Sequence, residues 1–195
     1  KYFAHANILL NRQILDDAKR YLLNGNDRNI LEIGCQGWKG WIDNLGIKPR
    51  ELHCINISET ELTAGINLAK NSKIQPYFHL MDAHDLKFND EKFDLVFGGA
   101  ILHHLDLDRA MFEISRVLKP NGLIIFAEPL NINPFAKMIR YFTPDARTLD
   151  EHAFSFRDLR TISKYFNSSI IFYQLFSLPL SCISVHLFKD ETNPI

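Results

Sequence analysis

The twelve residues Asn29-Ile30-Leu31-Glu32-Ile33-Gly34-Cys35-Gln36-Gly37-Trp38-Lys39-Gly40 restrict the fold more than any other stretch of the chain. Asn29 to Ile33 is a short apolar run and reads as a buried strand. Gly34 and Gly37 mark a tight turn. Trp38-Lys39-Gly40-Trp41-Ile42 then opens a helix expected to run to about Leu45, closed by Gly46 and Pro49. Strand, glycine turn and helix make the first unit of a nucleotide-binding α/β fold. Glycine lets backbone approach a ligand because no Cβ intervenes, and a helix start presents free N–H groups to it.

The flanking sequence repeats the alternation. Phe3 to Leu23 has helical apolar spacing, with Ile8, Leu9, Ile14, Leu15, Ala18 and Leu22 recurring. Leu52 to Ile57 is the second strand. Ser58 followed by Glu61 predicts a capping box for a helix that runs to about Asn71. Gln75 to Met81 is the third strand and Asp82 to Asp90 a polar turn. Phe93 to Phe97 is the fourth strand, ended by Gly98-Gly99. An amphipathic helix follows through Met111, Phe112, Ile114, Val117 and Leu118. Pro120-Asn121-Gly122 is a turn signal before a fifth strand, Leu123 to Ala127. Alternating strands and helices from Asn29 to Glu128 argue a parallel sheet with helices on both faces, whose ligands lie at the carboxyl ends of the strands. Beyond it, Pro134 to Phe142 reads as an inserted helix, Thr143 to His152 as a loop, Phe156 to Phe166 as a helix, and Ile170 to Leu180 as the start of a sixth strand.

Composition narrows the setting. A chain of 195 residues with a formal net charge of −1 is long enough for one domain and has no basic excess to draw it to nucleic acid or an anionic membrane. Cys35, Cys54 and Cys182 are too far apart for a zinc site or a disulfide framework and fit a reducing compartment. The apolar run Ile170 to Phe188 is interrupted by Gln174, Pro179 and His186, a poor membrane span. No signal peptide is read, so the expected location is cytoplasmic. The chain opens on Lys1 rather than Met, as a piece of a longer protein would.

Polar residues fall at the strand ends. Glu32 and Gly34 end the first strand. Asn56 ends the second, about twenty residues on, where dinucleotide-binding folds set an acid against a ribose hydroxyl. Asp82 follows the third, where a carboxylate can accept from an adenine amino group. Six stretches, Ile30 to Cys35, Ile55 to Ser58, Asp82 to Leu86, Phe93 to Val96, Leu102-His103-His104-Leu105 and Arg116 to Gly122, stand in one order and spacing over residues 29 to 130. By them the chain resembles the class I S-adenosylmethionine-dependent methyltransferases of the small-molecule type.

The resemblance implies a Rossmann-like, doubly wound, mostly parallel seven-stranded α/β sheet. It implies one domain over 1–195: an N-terminal helix (1–28), a cofactor-binding core (29–130), a lid or substrate insertion (131–167), and a C-terminal strand region (168–195) that leaves open whether the last strand lies within it. S-adenosylmethionine would lie across strands one to four. Its contacts would be Glu32, Gly34, Cys35 (through backbone), Gln36, Gly37, Asn56, Ile57, Asp82, Ala83 and the Gly98-Gly99 backbone. Two departures stand out. Gln36 and Trp38 occupy places where the family usually has glycine, so Gly37 and Gly40 are expected to supply positive φ one residue later. Asn56 replaces the usual acid and lacks the charge that strengthens such a hydrogen bond. Trp38 and Trp41 read as packing.

His103-His104 carries the sharpest chemistry. Methyl transfer to oxygen or nitrogen requires the acceptor to lose a proton, and imidazole titrates in the right range to take it. Glu128, after strand five, would orient such a histidine or bind the acceptor. Proximity alone is the alternative, and His103, His104 and Glu128 as ligands of a divalent metal is a third. Phe135, Met138, Ile139, Arg140, Tyr141, Phe142 and Arg147 suggest a lid over an acceptor with apolar bulk and an acidic group, with Asp150-Glu151-His152 near it; a plain packing helix is the alternative. The expected function is methyl transfer to an O or N atom of a small-molecule or lipid-like acceptor. A non-catalytic methyltransferase-like binding module, or a cofactor-binding enzyme of another reaction such as a cyclisation, are the alternatives.

Overall fold

A computed structural model describes residues 13–128 and 155–171. Residues 13–22 form helix α1, continued by a 3-10 turn Leu23–Gly25. Then come β1 (Asn29–Ile33), β2 (Glu51–Asn56), α2 (Glu59–Ala69), β3 (Tyr77–Leu80), β4 (Phe93–Gly99), α3 (Leu107–Val117), β5 (Leu118–Ala127) and α4 (Phe156–Tyr165). The five strands form one sheet in the order β3-β2-β1-β4-β5, every neighbouring pair parallel. The chain order reverses beside β1, which puts a crevice between the ends of β1 and β4. Five of the seven expected strands are therefore described. The remainder of the sixth-strand reading, the inserted helix Pro134 to Phe142 and the loop to His152 lie outside the described residues.

The alternation of side chains explains the layering. Ile30 pairs in register with Leu52 and Leu95, and all three face α1, α2 and the loop after β1, among Leu22, Trp38, Ile42 and Leu62. Leu31, Ile33, Ile55 and Val96 face the other way, onto Met111, Ile114 and Val117 of α3 and Ile162 of α4. A strand buried on both faces reads as a continuous apolar run, which is why β1 was legible. Each such side chain taken from water contributes roughly 1.5–3 kcal/mol.

Two elements differ from expectation. The segment after Trp38 is one π-helical turn, Lys39–Asp43, not an α-helix to Leu45. The Gly37 carbonyl accepts from both Gly40 and Trp41 N–H, and the widened turn closes by Asn44 N–H to the Lys39 carbonyl, 3.0 Å. In addition, β5 starts at Leu118, and Pro120-Asn121-Gly122 lies within it as an irregularity. Phe93 pairs with Leu118 while Leu95 pairs with Leu123. Pro120 has no N–H for the ladder, and Asn121 takes φ 62°, so the surplus residues loop out. Among the described residues no helix is long and apolar enough to cross a membrane.

Candidate active site at the strand ends

The loop after β1 is folded around Glu32. This carboxylate is buried and accepts from Gly37 N–H at 2.7 Å, Trp38 N–H at 3.2 Å and the Cys54 thiol at 3.3 Å. Burial pushes its pKa up to about 7, against the pull of those hydrogen bonds. Burial, then Glu32 itself, pushes the Cys54 thiol well up. Glu32 thus faces the loop's own amides. Gly34 turns the chain with φ 127° and donates to the Ile55 carbonyl at 2.9 Å. The positive φ expected of Gly37 and Gly40 is absent. Gly37 is needed for closeness instead, since an added Cβ would stand 2.9 Å from the Glu32 carboxylate. Trp38 is fully buried in the core beneath the loop and does not enter the ligand end of the sheet.

Gln36 points to α2 and donates to Glu61 at 2.5 Å. That contact changes the expected capping box. Ser58 caps α2 by accepting from Glu61 N–H, 3.3 Å, but the Glu61 carboxylate goes to Gln36 rather than back to Ser58. Gly65, on α2, lets the helix meet the loop, because a Cβ there would lie 2.3 Å from the Cys35 carbonyl oxygen. Asn56 is engaged locally. Its oxygen accepts from Ser58 N–H at 2.9 Å and its amide approaches Cys35 Sγ at 3.5 Å. Ile57, next along, is 74% exposed.

Beyond β3, Asp82 is exposed while Ala83 is buried. Asp82 Oδ1 accepts from His84 N–H at 2.9 Å and meets His84 Nδ1 at 2.6 Å. These bonds hold its pKa below the usual carboxylate range. His84 Nε2 in turn accepts from Asp106 N–H at 2.9 Å.

At the end of β4, Gly98 is walled in. A Cβ there would meet the Ile33 carbonyl at 2.9 Å, whereas one at Gly99 would meet nothing within 4 Å. Ala100, at φ 53°, turns the chain and donates to the Ala127 carbonyl. A 3-10 turn, Leu102–His104, follows. Glu128 caps it: one carboxylate oxygen accepts from Ile101 and Leu102 N–H, each 2.9 Å, and the other meets His103 Nδ1 at 2.8 Å. Both side chains are buried. The His104 ring lies 4.1 Å from that of His103, centroid to centroid. Among the described residues no three His, Cys, Asp or Glu side chains are grouped as metal ligands.

The structure thus brings Gly34, Cys35, Gln36, Gly37, Asn56, Ile57, Asp82, Gly99, His103, His104 and Glu128 to the carboxyl ends of the strands, while Glu32 and Ala83 face inward. The contacts that His84, Glu61 and Gly65 make at the strand ends were missed by sequence reasoning. The first had a signal, an Asp-x-His spacing right after a strand; the other two act through contacts distant in sequence.

Residues 31–126 match the family described as "Methyltransferase domain". A sarcosine/dimethylglycine N-methyltransferase of Halorhodospira halochloris is 31% identical over 110 residues, 54% of this chain and 39% of that protein. An O-methyltransferase of Penicillium expansum is 28% identical over 132 residues, 63% of this chain and 48% of that one. The chain spans less than half the length of these curated relatives. The solved N-methyltransferase NodS of Bradyrhizobium japonicum shares the fold with TM-score 0.59 at 17% identity, covering 78% of this chain and 80% of that one. The alternating strands, the glycine turn after β1 and this match together identify residues 31–126 as a class I S-adenosylmethionine-dependent methyltransferase domain.

Proposed function

We propose that this protein transfers a methyl group from S-adenosylmethionine to an oxygen or nitrogen of a small-molecule or lipid-like acceptor. The strand ends fit that cofactor. Gly99 leaves open space above β4, Ile57 offers apolar surface at the end of β2, and Asp82 Oδ2 takes no hydrogen bond among the described residues. Gly34, Cys35, Gln36, Gly37 and Asn56 would complete the binding rim. When bound, the cofactor supplies an electrophilic methyl on sulfonium.

The chain's own part is proton management. Glu128 is immobilised by two backbone N–H groups and accepts a hydrogen bond from Nδ1–H of His103, a tautomer that leaves Nε2 with a lone pair. Nε2 then accepts the proton that an acceptor O–H or N–H must lose. The His104 ring lies against that of His103 at a 40° tilt. The single observation carrying this reading is the 2.8 Å His103–Glu128 contact in a carboxylate already held by amides. Relatives named for N- and for O-methylation suit either acceptor atom.

The test has two steps. Calorimetry with S-adenosylhomocysteine should show saturable binding, and a metabolite panel should yield a product heavier by one methyl group. A folded protein that binds no S-adenosylhomocysteine would sink the reading. One observation favours a second reading, a methyltransferase-like binding module: Asn56 is uncharged and its side chain is engaged with Ser58 and Cys35. Cofactor binding without turnover on any acceptor would select it.

A further inference from the structure

We infer that His84 is a positioning residue: its neutral imidazole aims the Asp82 carboxylate at the amino group of the cofactor's adenine and ties that carboxylate to the loop bearing His103. This rests on the cofactor reading above.

The hydrogen-bond pattern assigns the tautomer. A backbone N–H only donates, so the 2.9 Å contact from Asp106 N–H requires a lone pair on His84 Nε2. The ring proton then sits on Nδ1, where it donates to Asp82 Oδ1 at 2.6 Å. The same oxygen accepts His84 N–H at 2.9 Å. With Oδ1 taken twice, Oδ2 is the oxygen left to receive a donor from a ligand. A carboxylate oxygen suits the 6-amino group of adenine and repels the 6-oxo group of hypoxanthine.

The ring also bridges parts the sheet keeps apart. Asp82 follows β3, the outermost strand, while Asp106 follows β4; β2 and β1 lie between. Asp106 is the N-cap of α3, accepting Arg109 N–H on its side chain at 3.3 Å and Ala110 N–H on its carbonyl at 2.9 Å. The start of α3 immediately follows the turn that carries His103 and His104. The imidazole is mostly buried and Asp82 mostly open, the arrangement of a fixed support behind a ligand-facing group.

The experiment compares S-adenosylhomocysteine with S-inosylhomocysteine by calorimetry. The wild type should prefer the adenine form by about tenfold or more. His84→Phe keeps the ring volume but neither hydrogen bond, and His84→Gln keeps an acceptor near the Nε2 place but no donor for Asp82. Both should narrow the preference to about threefold or less. His84→Asn restores a donor at the Nδ1 place and should recover most of it, a result that a merely structural role would not produce. A wild-type-like preference in His84→Phe and His84→Gln, or no recovery in His84→Asn, overturns the inference. If the wild type binds neither nucleoside, the cofactor reading falls and takes this one with it. If it binds the adenine form and the preference ignores His84, only the role of His84 falls.

Discussion

The ends of β1 and β5 solve one structural problem with the same device. At each, a buried glutamate accepts two consecutive backbone N–H groups that open a short helical turn: Gly37 and Trp38 on Glu32, Ile101 and Leu102 on Glu128. Orphan amides at a helix start need such a partner, and a carboxylate is a strong one. The third partner sets the two apart. Glu32 meets the thiol of Cys54, whose pKa is pushed far above neutrality, whereas Glu128 meets the imidazole of His103. A thiol held protonated passes no proton on. An imidazole held by one nitrogen keeps the other for chemistry. The comparison teaches that the same cap can end in a seal or, on the function proposed above, in a base.

Breaking the base should have the largest effect. His103→Asn is expected to lower turnover by about 10²–10⁴-fold while thermal unfolding moves by only a few degrees. A rate within threefold of wild type would leave proximity as the mechanism. Breaking the seal should cost stability instead. Glu32→Ala removes the partner of the buried Trp38 amide and of the more open Gly37 amide and should destabilise by roughly 1–3 kcal/mol in urea unfolding. A cost below about 1 kcal/mol would mean that water replaces the carboxylate.

The seal also has a pH signature. The folded pKa of Glu32, about 7, lies above its ordinary 4.5, so between these values the folded state binds more protons than the unfolded. The stability this contributes is present below about pH 4.5 and declines as pH rises through 7. From pH 5 to 8 the wild type should therefore lose about 1–3 kcal/mol relative to Glu32→Gln, which has no proton to lose. Parallel stability curves for the two proteins would show that Glu32 is ionised throughout. The smallest effect is expected of Gln36→Ala. Its partner Glu61 is exposed, so the melting temperature should stay within about 1–2 °C. A larger drop would make Gln36, not Glu32, the keeper of the loop.

Much of this was legible in the residues. Strands β1, β2 and β4 are apolar runs with glycine or polar ends, and burial on both faces leaves that mark. The pairing of a histidine after β4 with Glu128 followed from both standing at strand ends. Where side chains point was not legible. Glu32 reads as a ligand contact because it ends a strand, yet it turns inward, since the loop doubles back and brings two amides to it. Glu61 stands at the right spacing for a capping box and is drawn off by Gln36, twenty-five residues earlier. Gly37 looks like a residue chosen for φ and serves to let a carboxylate come near. Each miss comes from a contact that spacing along the chain does not encode.

Gly65 carries the last consequence. Its hydrogen-for-methyl gap is what allows the middle of α2 to rest on the Cys35 carbonyl. The shape of the loop after β1 is accordingly controlled from a helix position thirty residues on. Anyone wishing to retune that mouth need not touch its rim: a one-carbon wedge at 65 would lever the helix outward and carry Gln36 and the turn along with it.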